Sequence, residues 1–183
     1  MALLILDMLS DYRFPDGIAA VRAARRIAPN IARLRARAAK EGVPTIYVND
    51  NLGRWRSSLD ELLARCLAPG ARGADVVGLL KPGPEDLVVL KPRHSAFYAT
   101  PLAALLDEAR TRRIILTGVS SHQCVLFTAN DAHVRELELC VPADCIGAPA
   151  ASQTRFALRY FGSVLGAGTE PSTRLRLRER RRR

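Results

Sequence analysis

Three side chains in this 183-residue sequence stand where reaction chemistry would be expected. Asp7 follows the apolar run Ala2–Leu6, Lys91 follows Leu87–Leu90, and Cys124 comes just after Gly118-Val119-Ser120-Ser121. With Ser121 as N-cap, Cys124 occupies the third helical position, where unpaired backbone N–H groups and the positive end of the helix dipole favour thiolate over thiol. A neighbouring ammonium such as Lys91 would favour it further, the usual route to a nucleophilic cysteine. The other reading is a small hydrophobe packing the sheet. A carboxylate ending an apolar strand calls for a cation or a proton-transfer role, so Asp7 reads as a base or, more plainly, as the cap of a turn. Lys91 completes a set of base, cation and nucleophile, or snorkels to the surface. His122 is only two residues from Cys124, and positions i and i+2 on a helix face different directions. His94 and His133 stay open as partners or as surface residues. Cys66 and Cys140 read as packing residues, and Cys145 falls in a loop with either reading open.

These groups need a frame. Short apolar runs alternate with longer segments of 3.6-residue period, the signature of a parallel sheet covered by helices. Strands are expected at Ala2–Leu6, Pro44–Val48, Leu87–Leu90, Arg113–Thr117 and Leu137–Val141. From Ile18 to Lys40, an apolar stripe (Val21, Ala24, Ile27, Ile31, Leu34, Ala38) faces away from a row of arginines, with Pro29 expected to kink or restart the helix. Helices follow at Ser58–Leu67, from Pro101 to about Arg110, from about His122 to Val134, and at Ala150–Leu165, with room for one more turn between Pro69 and Pro84. The expected fold is a three-layer α-β-α domain, residues 1–168, around a mainly parallel Rossmann-like sheet. Such sheets bind ligands beyond the carboxyl ends of their strands, where Asp7, Lys91 and Cys124 all fall.

Composition narrows the class. A hydrophobic fraction of 48% with 25% charged residues fits a globular domain. The apolar run at the start meets Asp7 long before the ~18 residues of a membrane span, so neither a signal peptide nor membrane association is expected. Four cysteines without CxxC pairing suit a reducing cytoplasm. The net charge of +10 is concentrated at one end: residues 170–183 carry seven arginines against two glutamates. This arginine-rich tail, 169–183, is expected to be disordered. It allows nucleic-acid binding without making it the function, since interleaved aromatics are lacking.

Read in order, Leu4-Ile5-Leu6-Asp7-Met8 with Asp11-Tyr12, then Lys91-Pro92-Arg93-His94-Ser95-Ala96-Phe97, then Leu116 to Val125, resemble the isochorismatase-like cysteine hydrolases across roughly residues 2–165. That family includes nicotinamidases, N-carbamoyl amidohydrolases and isochorismatases. The resemblance implies Cys124 as nucleophile, Asp7 as its acid/base, Lys91 as supporting cation, a cis peptide at Val119-Ser120, and an oxyanion hole from the backbone N–H groups of Ser120 and Cys124. It also implies a small-molecule substrate and a homo-oligomer.

Two departures from the family pattern bear on the substrate. Leu9 stands where relatives commonly carry Gln. Nicotinamidases have an Asp-x-His metal motif after the second strand, but here Asp50 is followed by Leu52, so no metal and no other cofactor is expected. Asn49, Asn51, Arg54 and Trp55 in that segment, together with Phe97, are candidate substrate-binding residues. Arg54 or Arg93 is a candidate carboxylate clamp, and Tyr98 and Phe127 extend the apolar wall. The expected reaction is metal-independent hydrolysis of a small amide or ureido compound through a thioester. Vinyl ether hydrolysis, a redox-responsive or binding role without catalysis, and RNA association through the tail are the alternatives.

Overall fold

The computed structural model describes residues 1–51 and 58–177. Its elements run β1 (Ala2–Leu6), α1 (Gly17–Lys40), β2 (Thr45–Asp50), α2 (Leu59–Cys66), α3 (Ala74–Leu80), β3 (Leu87–Lys91), α4 (Leu102–Glu108), β4 (Arg113–Val119), α5 (Cys124–Val134), β5 (Glu138–Cys140), β6 (Ile146–Gly147) and α6 (Ala151–Ser163). The strands pair in the order β3-β2-β1-β4-β5, with β6 added to the end of β4, and every pairing is parallel. This is the mainly parallel α/β sheet flanked by helices that the periodicity requires.

Central β1 explains its own composition. All five residues are buried because both faces are covered. Leu3 and Ile5 join the core under α1 and α3, whereas Ala2, Leu4 and Leu6 join the core beneath α4, α5 and α6. Alternation along one strand thus builds two cores, one on each side of the sheet.

Three local expectations are corrected. Pro29 does not restart α1, which is continuous from Gly17 to Lys40. Pro29 lies on the exposed side, where the carbonyl it leaves without a donor faces solvent while the buried stripe holds the helix. Helix α5 begins at Cys124 rather than near His122. Ser121 does not cap it: Ser121 is buried, its N–H donates to the Gly147 carbonyl, and its hydroxyl pairs with Thr154.

The third correction concerns the C-terminal segment. Residues 169–177, expected to belong to a disordered tail, pack against α1. The Arg37 guanidinium donates to the Ser172 and Leu175 carbonyls at 2.7 Å each, and the Asp144 carboxylate accepts from the Ser172 N–H and hydroxyl. Leu175 and Leu177 are buried in the α1-side core. An arginine-rich composition masked two apolar anchors spaced by two. Replacing both Leu175 and Leu177 by Ala should cost at least about 4 kcal/mol, from about 2 kcal/mol or more per buried leucine. A calorimetric Tm unchanged in the double variant would show that the segment adds nothing to the fold.

Candidate active site

The site lies beyond the carboxyl ends of β1, β2 and β3 and at the start of α5. At Asp7 the chain leaves β1 with a left-handed backbone (φ 52°), while the Asp7 N–H still donates to the Val48 carbonyl. The turn aims the carboxylate at the end of the neighbouring strands. Its Oδ1 accepts the Asp50 N–H at 2.8 Å, and its Oδ2 lies 2.9 Å from Lys91 Nζ. The β2/β3 register sets Asp50 opposite Lys91, and the Lys91 carbonyl accepts the Asn51 N–H. Gly118 makes this junction possible. With φ +110°, it passes so close to β1 that a Cβ would meet the Leu6 carbonyl oxygen at 2.0 Å.

Lys91 has no exposed side-chain surface. Its ammonium lies 3.6 Å from Cys124 Sγ and 3.9 Å from Asp50 Oδ2. Burial works against the charge, but the neighbouring Asp7 carboxylate, Cys124 and Asp50 outweigh it and move the Lys91 pKa upward. The lysine stays an ammonium.

Cys124, the first residue of α5, does not carry the lowered pKa that its helix position suggests. Burial raises it, the Asp7 charge raises it further, and Lys91 opposes both without prevailing. The resting group is therefore a thiol, set beside the Asp7–Lys91 pair. His94 Nδ1 lies 3.7 Å from the same sulfur. The other cysteines are buried and away from this site; burial pushes the Cys66 thiol up to about 11 and that of Cys145 to about 12.

A cavity of about 320 Å³ opens onto these groups. Asp7, Asn49, Asp50, His94, Ser120 and Cys124 form its polar floor, with Tyr12, Phe14, Arg13 and Arg65 around it. The Asn49 side chain donates to the Leu9 carbonyl at 2.8 Å and so ties β2 to the segment after Asp7. Leu9 itself is buried against this cavity as an apolar side chain. The Val119-Ser120 peptide is cis. The N–H groups of Gly118, Ser121, Gln123 and Val125 are taken by the carbonyls of Cys145, Gly147 and Ser120. Those of Ser120 and Cys124 meet no backbone acceptor among the described residues.

Other candidates fall elsewhere. Phe97 is packed in the α5-side core under the Arg135 guanidinium, 4.7 Å from its ring centroid, and does not line the cavity. Its alternation with exposed Tyr98 turns it inward. Asn51 is buried and does not line the cavity either. The Arg93 guanidinium turns back onto the Pro92 carbonyl. Arg54 and Trp55 lie outside the described residues. His122 is away from the cavity, with burial lowering its pKa. Among the described residues no group of three or more His, Cys, Asp or Glu side chains is placed to hold a metal ion. Asp50, the one residue matching a metal motif, has the Lys91 ammonium beside it.

Sequence reasoning missed Arg13 and Arg65. Arg65 Nε donates to Asp11 Oδ2 at 2.6 Å. Burial would raise the Asp11 carboxyl, but Arg65 and the Arg13 N–H hold it below its usual range. A signal existed in the buried Asp11 of the Asp7–Tyr12 segment, but its partner is 54 residues away on α2.

A half-buried carboxylate, a buried ammonium and a thiol thus meet at the end of a parallel sheet. Comparison with known proteins gives the family. The family model for the Isochorismatase domain matches residues 1–169, so the chain belongs to the isochorismatase family of hydrolases. It is 38% identical over 166 residues to the uncharacterized isochorismatase family protein YaaI of Bacillus subtilis, covering 91% of each chain. It is also 38% identical over 109 residues to the ureidoacrylate amidohydrolase RutB of Methylorubrum extorquens, covering 58% of this chain but only 43% of that protein. Among solved structures, an isochorismatase family protein from Desulfovibrio vulgaris superposes with a TM-score of 0.75 at 26% identity, covering 94% of both chains. No helix among the described residues is long and apolar enough to cross a membrane.

The charges make a prediction about the thiol. Because the Asp7 charge raises the Cys124 pKa, Asp7→Asn should leave more thiolate at a fixed pH. Its alkylation by iodoacetamide at pH 7.5 should therefore be about tenfold faster than in the wild type. Alkylation slowed in step with turnover would mean that Asp7 does not hold the proton on sulfur.

Proposed function

We propose that this hydrolase is a metal-independent cysteine enzyme cleaving a small amide or ureido C–N bond through a thioester on Cys124. The observation that carries the reading is the contact set around Lys91: Asp7 at 2.9 Å and Cys124 at 3.6 Å, open to one small cavity. A buried charge of this kind is costly for a binding protein, which has no use for it. The 38% identity to a ureidoacrylate amidohydrolase supports a carbamoyl or amide substrate.

The geometry supports the following chemistry. Asp7 takes the thiol proton as sulfur attacks the carbonyl carbon, and Lys91 holds the resulting negative charge. The Ser120 and Cys124 N–H groups donate to the oxyanion, where a pair of preorganised donors is worth a few kcal/mol each. Asp7 then gives its proton to the departing nitrogen, the C–N bond breaks, and ammonia or an amine leaves. Water hydrolyses the thioester, releasing the acid and restoring the thiol. Asn49 and Asp50 supply polar contacts at the floor, and the Arg65–Asp11 pair and Arg13 bound the wall.

A screen of simple amides and N-carbamoyl compounds should find ammonia-releasing turnover that Cys124→Ala abolishes, with Lys91→Ala and Asp7→Asn each reducing kcat at least about 100-fold. Turnover confined to vinyl ether substrates would move the reaction to the other branch of the family. Turnover retained by Cys124→Ala would remove the nucleophile from the proposal.

Activity should survive EDTA, and purified protein should carry less than one zinc or iron per chain. Chelator-sensitive turnover restored by one metal would overturn the metal-independent reading.

A further inference from the structure

One face of α5 holds a titratable side chain on the sulfur. Cys124, Phe127, Thr128 and Asp131 follow the i, i+3, i+4, i+7 spacing of a single helix face. Each of them touches the segment after β3. The Phe127 ring packs on the His94 imidazole with centroids 5.4 Å apart, Thr128 Oγ1 accepts the Ala96 N–H at 3.0 Å, and the Asp131 carboxylate accepts the Ser95 hydroxyl. The same Ser95 oxygen accepts the Phe97 N–H. Thr128, Ser95, Ala96 and Phe97 are buried, so the segment is clamped at its base while His94 remains exposed above it. The nucleophile and His94 are thus fixed to one helix face, 3.7 Å apart.

The two groups flanking the sulfur differ in what they can reach. Asp7 lies on the inner side, with one oxygen on the Asp50 N–H and the other on Lys91. His94 lies on the solvent side, where water enters. Resting on the proposal that Cys124 carries a thioester, we infer that His94 is a second catalytic residue, the base for deacylation. A neutral imidazole takes a proton from water as its oxygen attacks the thioester carbonyl carbon. The tetrahedral intermediate collapses with breakage of the C–S bond, and the imidazolium returns the proton to sulfur. The acid leaves and the thiol is restored, so one water is consumed and no other reactant is needed. Asp7 serves acylation and His94 serves hydrolysis, and one cysteine sits between two proton carriers with separate duties.

p-Nitrophenyl acetate separates the two steps, because p-nitrophenolate reports acylation and steady turnover reports deacylation. In His94→Ala and His94→Gln, the acylation phase should stay within about threefold of wild type while steady turnover falls about 100-fold. Intact-mass measurement of quenched reactions should find one acetyl group on Cys124 of these variants. Added imidazole should recover turnover of His94→Ala about tenfold, which a purely structural role would not allow. Both phases falling together, neither falling, no acetyl adduct, or no response to imidazole would each overturn the assignment of His94 alone. Acetylation and turnover persisting in Cys124→Ala would overturn the nucleophile reading beneath it.

Discussion

A lysine ammonium with no surface in water holds this site together. Taking such a charge out of solvent costs several kcal/mol, and only close, well-placed acids offset it. The offset comes from Asp7 at 2.9 Å, with Asp50 and Cys124 in a second ring at 3.9 and 3.6 Å. That requirement explains the left-handed turn at Asp7, the Asp50 N–H that fixes its carboxylate, and the register that puts Asp50 opposite Lys91. It also explains the state of the sulfur. Burial and the Asp7 charge raise the Cys124 pKa against the pull of Lys91, and the resting group is a thiol. Oxidants and alkylating agents act on thiolates, so a thiol in this setting is less exposed to them.

The strands and their carboxyl ends were legible because central parallel strands are read on both faces. Ala2–Leu6, Leu87–Lys91 and the run into Val119 carry the apolar density that such strands need, and a charge or a glycine marks where each stops. The placement of Asp7, Lys91 and Cys124 at one end followed from that alone. What could not be read were choices made by tertiary contacts. Ser121 has the composition of a cap but is spent on Gly147 and Thr154, and α5 starts at Cys124, two residues later than a Ser121 cap would set it. Phe97 belongs to an aromatic-rich stretch, and only the clamp onto Thr128 and Asp131 decides that it turns inward. A two-residue strand such as β6 has no period to detect, and it exists because β4 offers an open edge past β5.

Electrostatics misled in one respect for a physical reason. A cysteine at a helix start beside lysine suggests a lowered pKa, and both features are present. Burial and the Asp7 charge outweigh the dipole and Lys91 and reverse the sign. The C-terminal segment shows the same competition between composition and place. Arginines dominate residues 170–183 by number, while Leu175 and Leu177 determine where residues 170–177 lie.

The pairing of β1 with β4 bears on how the protein comes into being. Ala2 meets Ile114, and Leu6 meets Gly118, across more than a hundred residues of intervening chain. Asp7 and Lys91 belong to the strands on one side of that seam, and Cys124 enters from the other. Closing so long a loop is slow and comes at a large entropic cost, so it is a late event in folding. During synthesis the half with Asp7 and Lys91 emerges before Cys124 is made. A nascent or partly folded chain therefore lacks the contacts of Asp7 and Lys91 with Cys124, which form only on completion of the sheet.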